Sequence, residues 1–178
     1  GRLRESTRYR LLILGEGEEG EALLARASEL GFGDDFRLAG FVPNPYPMMS
    51  RSAVFVLTSG WEGFPNVLLD ALASGCPIVS TDCHFGPEEL LEEGRFGRLA
   101  PVGDVAAIAR AIEATIQSPR DSDRLRARAR DFDPALCDEA YLRLIDRSID
   151  SKRAGSAQEA MRSTLDRQAH DQRNGVRR

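Results

Sequence analysis

The sequence has a single lysine, Lys152, among 24 basic residues, and only two histidines, one tryptophan and three cysteines in 178 residues. Each scarcity excludes something. Cys76, Cys83 and Cys137 are odd in number and form no C-x-x-C, which argues against a disulfide framework or a thiolate zinc site. A reducing, cytoplasmic setting is the expectation. No apolar run approaches the ~20 residues that span a bilayer, and no leader-like apolar stretch opens the sequence. Positive charge is not in excess. The formal net charge is -4, so nothing global favours nucleic acid or an anionic membrane surface. The arginines from Arg124 to Arg130 are bracketed by Asp123 and Asp131 and read as a solvated helix face.

What is present is ordinary for a soluble globular chain: 42% apolar and 29% charged residues, enough for one domain with a hydrophobic core. Strand and helix signals alternate. Strands are expected at Tyr9 to Leu14, Phe36 to Phe41, Val54 to Ser59 and Pro77 to Asp82, with an edge strand at Phe96 to Ala100. Between them, helical spacing predicts Glu21 to Leu30, with Gly31 as its cap, and a short helix at Met48 to Ala53. Further helices are expected at Pro65 to Ser74 and Pro87 to Glu93, and from Asp104 to about Ser118. Two more are expected at Ser122 to Phe132 and Pro134 to Ile149. Such alternation implies a parallel sheet covered on both faces, with ligands at the carboxyl ends of the strands. The expected division is a domain over 1–149 and a polar, disordered tail over 150–178, where apolar residues thin out.

Gly15, Gly17 and Gly20 spell G-x-G-x-x-G between the first strand and the first helix, the pattern of a dinucleotide-binding turn. Glu16, Glu18, Glu19 and Glu21 crowd that turn, and two like charges ~4 Å apart repel by about 1 kcal/mol even at water's dielectric. The second strand ends at Gly40-Phe41, without the acid that would hold a ribose. The motif therefore reads as a tight strand-to-helix turn.

The richer segment is SGWEGFPNVLLDALASGCPIVSTD, residues 59 to 82. Glu62 follows a strand, and Asp70 comes after the seven intervening residues GFPNVLL, in the second turn of the next helix. Gly63 permits close backbone approach. Pro65 starts the helix, leaving the amides of Asn66, Val67 and Leu68 without intrahelical partners, a potential anion site. Two carboxylates for hydroxyls and amides for a phosphate suit a nucleotide sugar. Trp61 reads as shielding a core edge, and His84, in the loop CHFGP, as a solvated loop residue.

At these residues the chain resembles the retaining GT-B glycosyltransferases of family 4. EGFPNVLLDALASGCPIVSTD is similar to the family's E-x7-E segment. RLLILGEGEE, FRLAGFVPNPYPMMSRSAVFVLTS and GPEELLEEGRFGRLAPVGDVAAIARAI extend the likeness over roughly 9 to 118. The resemblance implies the C-terminal, donor-binding half of such an enzyme: an α/β, Rossmann-like three-layer domain with a parallel sheet, lacking the first strand and most of the first helix. It implies that Glu62 contacts the transferred sugar as the catalytic acid of the pair, and that Asp70 takes the ribose hydroxyls. It places Gly63, Phe64, Asn66, Val67 and Leu68 along sugar and diphosphate. Gly40, Phe41 and Val42 would border the base, and Gly15 and Gly17 would face the phosphates.

Two departures matter. Asp70 stands where the family has Glu, one methylene shorter. The family's diphosphate-gripping turn and Lys are not found, and Arg2 to Glu5 reads as the end of a helix. The expected activity of the whole enzyme is retaining transfer of a hexose from a nucleotide sugar, UDP-linked by expectation, to a hydroxyl acceptor. No cofactor or metal is expected. The expected partners are the donor and an N-terminal acceptor domain, with a membrane approached only through a lipid-linked acceptor. Alone, this chain is expected to bind nucleotide weakly and not to turn over. Two alternatives stand beside that reading: a non-catalytic nucleotide-binding or interaction module, and a dehydrogenase-type dinucleotide binder.

Overall fold

The computed structural model describes residues 9–152. The readings of Arg2 to Glu5 as a helix end and of 153–178 as a tail lie outside the described residues. The chain forms two compact units, Gly1–Asp131 and Phe132–Arg178.

In the first unit five strands alternate with six helices among the described residues. In order these are β1 Leu11–Ile13, α1 Gly20–Glu29, β2 Phe36–Leu38, α2 Tyr46–Arg51, β3 Phe55–Leu57 and α3 Asn66–Ala73. There follow β4 Ile78–Thr81, α4 Pro87–Leu90, β5 Arg98–Ala100, α5 Val105–Gln117 and α6 Ser122–Arg130. All strand pairs are parallel. β1 pairs with β2, with Leu12 opposite Arg37. β3, β4 and β5 form a second ladder in that order, with Val56 opposite Val79 and Ser80 opposite Leu99. The parallel α/β expectation holds, but the strands are shorter than the apolar runs suggested. An apolar run marks a candidate strand, but the ladder includes only residues paired with a neighbour, and Leu11 and Leu12 of β1 are exposed despite their apolar run.

β4 is the centre of the core. All four of its residues are buried. Because successive side chains point to opposite faces, burial of all four requires cover on both. α5 packs on β4 and β5, while α3 packs on β4 and carries α6 on its other side. Leu68, Ala71 and Leu72 of α3, at i, i+3 and i+4, are fully buried, as are Cys76, Val79, Leu90 and Leu91. Two aspartates start helices by capping: Asp104 accepts from the Ala107 amide at 2.8 Å, and Asp121 from the Arg124 amide at 3.0 Å.

The end of α3 is fixed twice. Gly75 (φ +66°) takes the left-handed position that lets its amide bond Leu72 O and the Cys76 amide bond Ala71 O, each at 2.9 Å. The Arg120 guanidinium then donates to the carbonyls of Gly75 (2.8 Å), Ser52 (3.2 Å) and Ser50 (2.7 Å). One cation thus sits on the carbonyl ends of α2 and α3, where the helix dipoles favour it, and ties the two helices together.

In the second unit a helix, α7, runs over 134–152 among the described residues, so Asp150 to Lys152, expected in the tail, are helical. Asp133 caps it, its carboxylate accepting from the Ala135 amide at 2.9 Å. Leu142, Ile145 and Ile149 of this helix are exposed.

Candidate functional site

The residues singled out in the sequence fall into two groups at the carboxyl ends of the strands, as parallel sheets require. The first lies beyond β1 and β2. Gly15 and Gly40 form an isolated bridge, with the Gly15 amide on Gly40 O at 2.8 Å. Glu16 turns toward the same place, and its carboxylate accepts from the Phe41 amide at 3.3 Å. The glycine turn is therefore docked on the Gly40–Val42 loop, and one of the four crowded acids is occupied in holding it there. Phe41 is 73% exposed, an aromatic face open at the rim of the sheet.

The second group lies beyond β3. Glu62 is half-buried, and Ser59 donates to its Oε1 at 2.7 Å. Ser59 is itself held, because the Thr81 hydroxyl of β4 donates to its carbonyl at 2.6 Å. A buried strand hydroxyl, a backbone carbonyl and a serine thus aim one carboxylate. A carboxylate has further lone pairs, so Glu62 can still accept from a ligand hydroxyl.

The start of α3 differs from expectation. Pro65 stands before the helix (φ -78°, ψ 83°), in the centre of a tight turn in which the Asn66 amide bonds Phe64 O at 2.9 Å. The Leu68 amide bonds Pro65 O at 2.8 Å, and the Leu68 side chain is fully buried. Of the three amides read as free, those of Asn66 and Leu68 are already engaged locally. Leu68 belongs to the core, and the anion-binding capacity of this helix start is reduced accordingly. Gly63 and Phe64 remain exposed beside it.

Pro65 is held in turn by Gly86, which begins α4. Gly86 has φ +97°, and a Cβ there would overlap Pro65 Cδ and stand 3.4 Å from Gly63 O. The loop after β4 therefore presses on the loop after β3 with no room for a side chain.

Asp70 is half-buried in the second turn of α3, and its Oδ1 accepts from the Tyr46 hydroxyl at 3.1 Å, across 24 residues of sequence. That hydrogen bond, then the carboxylate's charge, holds the Tyr46 phenol above its ordinary value of 10.0. Tyr46 begins α2, which follows the Gly40–Val42 loop. The pair thus links the second group to the segment leaving the first.

Sequence reasoning missed Tyr46, Ser59, Thr81 and the packing role of Gly86. Ser59, three residues before Glu62 at a strand end, was the one with a local signal. Trp61 is 72% exposed and shields no core edge, which corrects that expectation. His84 is exposed and stacks at a tilt on Phe85, with ring centroids 4.5 Å apart. A cavity of about 660 Å³ lies elsewhere, lined by Glu88, Glu89, Glu92, Glu93 and Arg95. Its four acids suit no anionic ligand, and the strand-end chemistry outweighs concavity here. Among the described residues, no group of three or more His, Cys, Asp or Glu could hold a metal ion. No helix among them is long and apolar enough to cross a membrane.

The parallel, Rossmann-like α/β fold matches that of GT-B glycosyltransferase structures. The family model for glycosyl transferases group 1 matches residues 1–118, and the chain belongs to that family. Over 134 residues it is 34% identical to N-acetylgalactosamine-N,N'-diacetylbacillosaminyl-diphospho-undecaprenol 4-alpha-N-acetylgalactosaminyltransferase of Campylobacter jejuni, covering 73% of this chain and 37% of that protein. Among solved structures it is similar to the apo form of the lipopolysaccharide outer core galactosyltransferase WaaB (TM-score 0.70, 26% identity, 85% of this chain and 43% of that one). It shares the fold of Anabaena HepE, solved in complex with UDP (TM-score 0.71, 21% identity, 78% and 41%). The chain thus spans about two-fifths of the length of these proteins.

Proposed function

We propose that this chain is the donor-binding part of a retaining glycosyltransferase that moves a hexose from a nucleotide sugar, UDP-linked, to a hydroxyl acceptor. The observation that carries the reading is the placement of Glu62 and Asp70 around the start of α3, at the carboxyl end of β3. Glu62, aimed by Ser59 and Thr81, accepts from hydroxyls of the transferred sugar. Asp70 accepts from ribose hydroxyls. The glycine turn and the loop from Gly40 to Val42 take the phosphate and base sides, with Phe41 offering a ring to stack on the base. The leaving diphosphate gains negative charge as the glycosidic bond breaks, and stabilising that charge is the largest contribution such a site makes. In this reading the nucleotide sugar is a substrate, and neither a cofactor nor a metal takes part. The acceptor is read by a second domain, nucleic acid is no partner, and a membrane enters only through a lipid-linked acceptor. The C. jejuni relative, whose name carries a diphospho-undecaprenol, supports that last point. The cytoplasm is the setting proposed.

A second reading, a nucleotide-binding module without turnover, is favoured by the engaged amides of Asn66 and Leu68, which weaken the grip on a diphosphate. Calorimetric titration with UDP, GDP and NADH tests the first reading. UDP binding in preference to NADH is expected. NADH binding in preference to both nucleoside diphosphates would return the glycine turn to a dinucleotide role. Release of UDP from a UDP-hexose by the chain joined to its acceptor domain separates the first reading from the second.

A further inference from the structure

Asp70 is one methylene shorter than the acid it stands for, yet a hydroxyl stands at its carboxylate. Tyr46 is the first residue of α2, half-exposed, with its hydroxyl 3.1 Å from Asp70 Oδ1. Its position is set from both ends. The Tyr46 amide donates to Asn44 Oδ1 at 3.2 Å, and Arg120 pins the far end of α2 to the end of α3 through the Ser50, Ser52 and Gly75 carbonyls. The helix bearing Tyr46 and the helix bearing Asp70 are thereby held as one piece. Neither side chain is buried, so both are accessible to solvent.

Resting on the donor-site reading above, we propose that Tyr46 and Asp70 form one diol-reading unit, in which the phenol oxygen supplies a second acceptor beside the shorter-reaching carboxylate. The phenol spends its proton on Oδ1, which leaves its own oxygen lone pairs free. Asp70 keeps Oδ2 free. Two acceptors on adjacent groups then face a ribose, one for each hydroxyl of its vicinal diol. The donated hydrogen bond also fixes the carboxylate rotamer, so less freedom is lost when the nucleotide binds. A phenol is protonated at neutral pH, as the arrangement requires.

The test is calorimetric titration of the chain and its Tyr46→Phe variant with UDP, 2′-deoxy-UDP and 3′-deoxy-UDP. Tyr46→Phe keeps the ring, and an unchanged far-ultraviolet spectrum with a single cooperative urea transition establishes that the variant is folded. The wild-type chain is expected to prefer UDP to both deoxy forms. Tyr46→Phe is expected to weaken UDP about five-fold, the loss of one ligand hydrogen bond, and to weaken at least one deoxy form much less. Equal weakening of all three ligands would reduce Tyr46 to packing and overturn the proposal. Unchanged affinities would overturn it too, leaving the donor site standing. A wild-type chain that binds none of the three overturns the donor-site reading and this inference with it.

Discussion

Gly86→Ala is the sharpest structural perturbation of the site, because it acts on a loop that no ligand need touch. Gly86 has φ +97°, where an L-residue is strained, and its Cβ would overlap Pro65 Cδ, with Pro65 Cγ at 3.1 Å and Gly63 O at 3.4 Å. Left-handed backbone costs a non-glycine residue roughly 1–2 kcal/mol, and overpacking a filled space about 1–3 kcal/mol, so the sum is about 2–5 kcal/mol. None of the three contacts is the end of a flexible side chain, so relief must come from movement of the turn that starts α3. With a urea slope of about 2 kcal/mol per molar, the unfolding midpoint should fall by roughly 1–2.5 M. Gly17→Ala is the control. Nothing stands within 4 Å of a Cβ there, and its midpoint should stay within about 0.3 M of wild type. Urea unfolding followed by circular dichroism decides the matter. A Gly86→Ala midpoint matching that of Gly17→Ala would refute the packing of the β4 loop on Pro65.

Three further outcomes follow from the same geometry. Ser59→Ala removes the donor to half-buried Glu62, and should weaken UDP-hexose about three- to ten-fold while leaving UDP unchanged, since Glu62 is assigned to the sugar; equal loss for both ligands would contradict that assignment. Burial pushes the Cys76 thiol up to about 11, against the opposing influence of Arg120 and the Phe55 backbone. Iodoacetamide at mildly alkaline pH should therefore modify exposed Cys137 well before Cys76, which should react only on unfolding, as peptide mass spectrometry would show. The Tyr46 phenol is held above 10.0 in the folded chain, which there retains a proton the unfolded chain gives up. Its contribution to stability is full below 10.0 and is lost as pH rises through the folded value. The urea-midpoint difference between wild type and Tyr46→Phe should shrink on raising the pH from neutral to above 10.0, and constancy across that range would refute the pairing with Asp70.

The order of elements was legible because each apolar run and each helical stripe is a local signal. The Glu62 and Asp70 pair was legible for the same reason, since both lie on one strand–loop–helix segment. What failed was what needs the folded chain. Tyr46 meets Asp70 across 24 residues, in a contact that depends on how α2 and α3 pack, with Arg120 bonded to the ends of both. Gly86 carried no local signal, because what requires a glycine there is the proline packed against it from another loop. The amides of Asn66 and Leu68 looked free because a proline opening a helix leaves donors unpaired, but a tight turn at Pro65 engages both. Trp61 was assigned to a core edge because large aromatics are usually covered, and it is 72% exposed.

The central claim is that one carboxylate reads the sugar and the other the ribose. Titration of wild type, Glu62→Ala and Asp70→Ala with UDP and with a UDP-hexose tests it most directly. The account predicts that Asp70→Ala weakens both ligands alike, while Glu62→Ala weakens the UDP-hexose and leaves UDP unchanged. Glu62→Ala weakening UDP as much as UDP-hexose, or Asp70→Ala affecting neither, would contradict it.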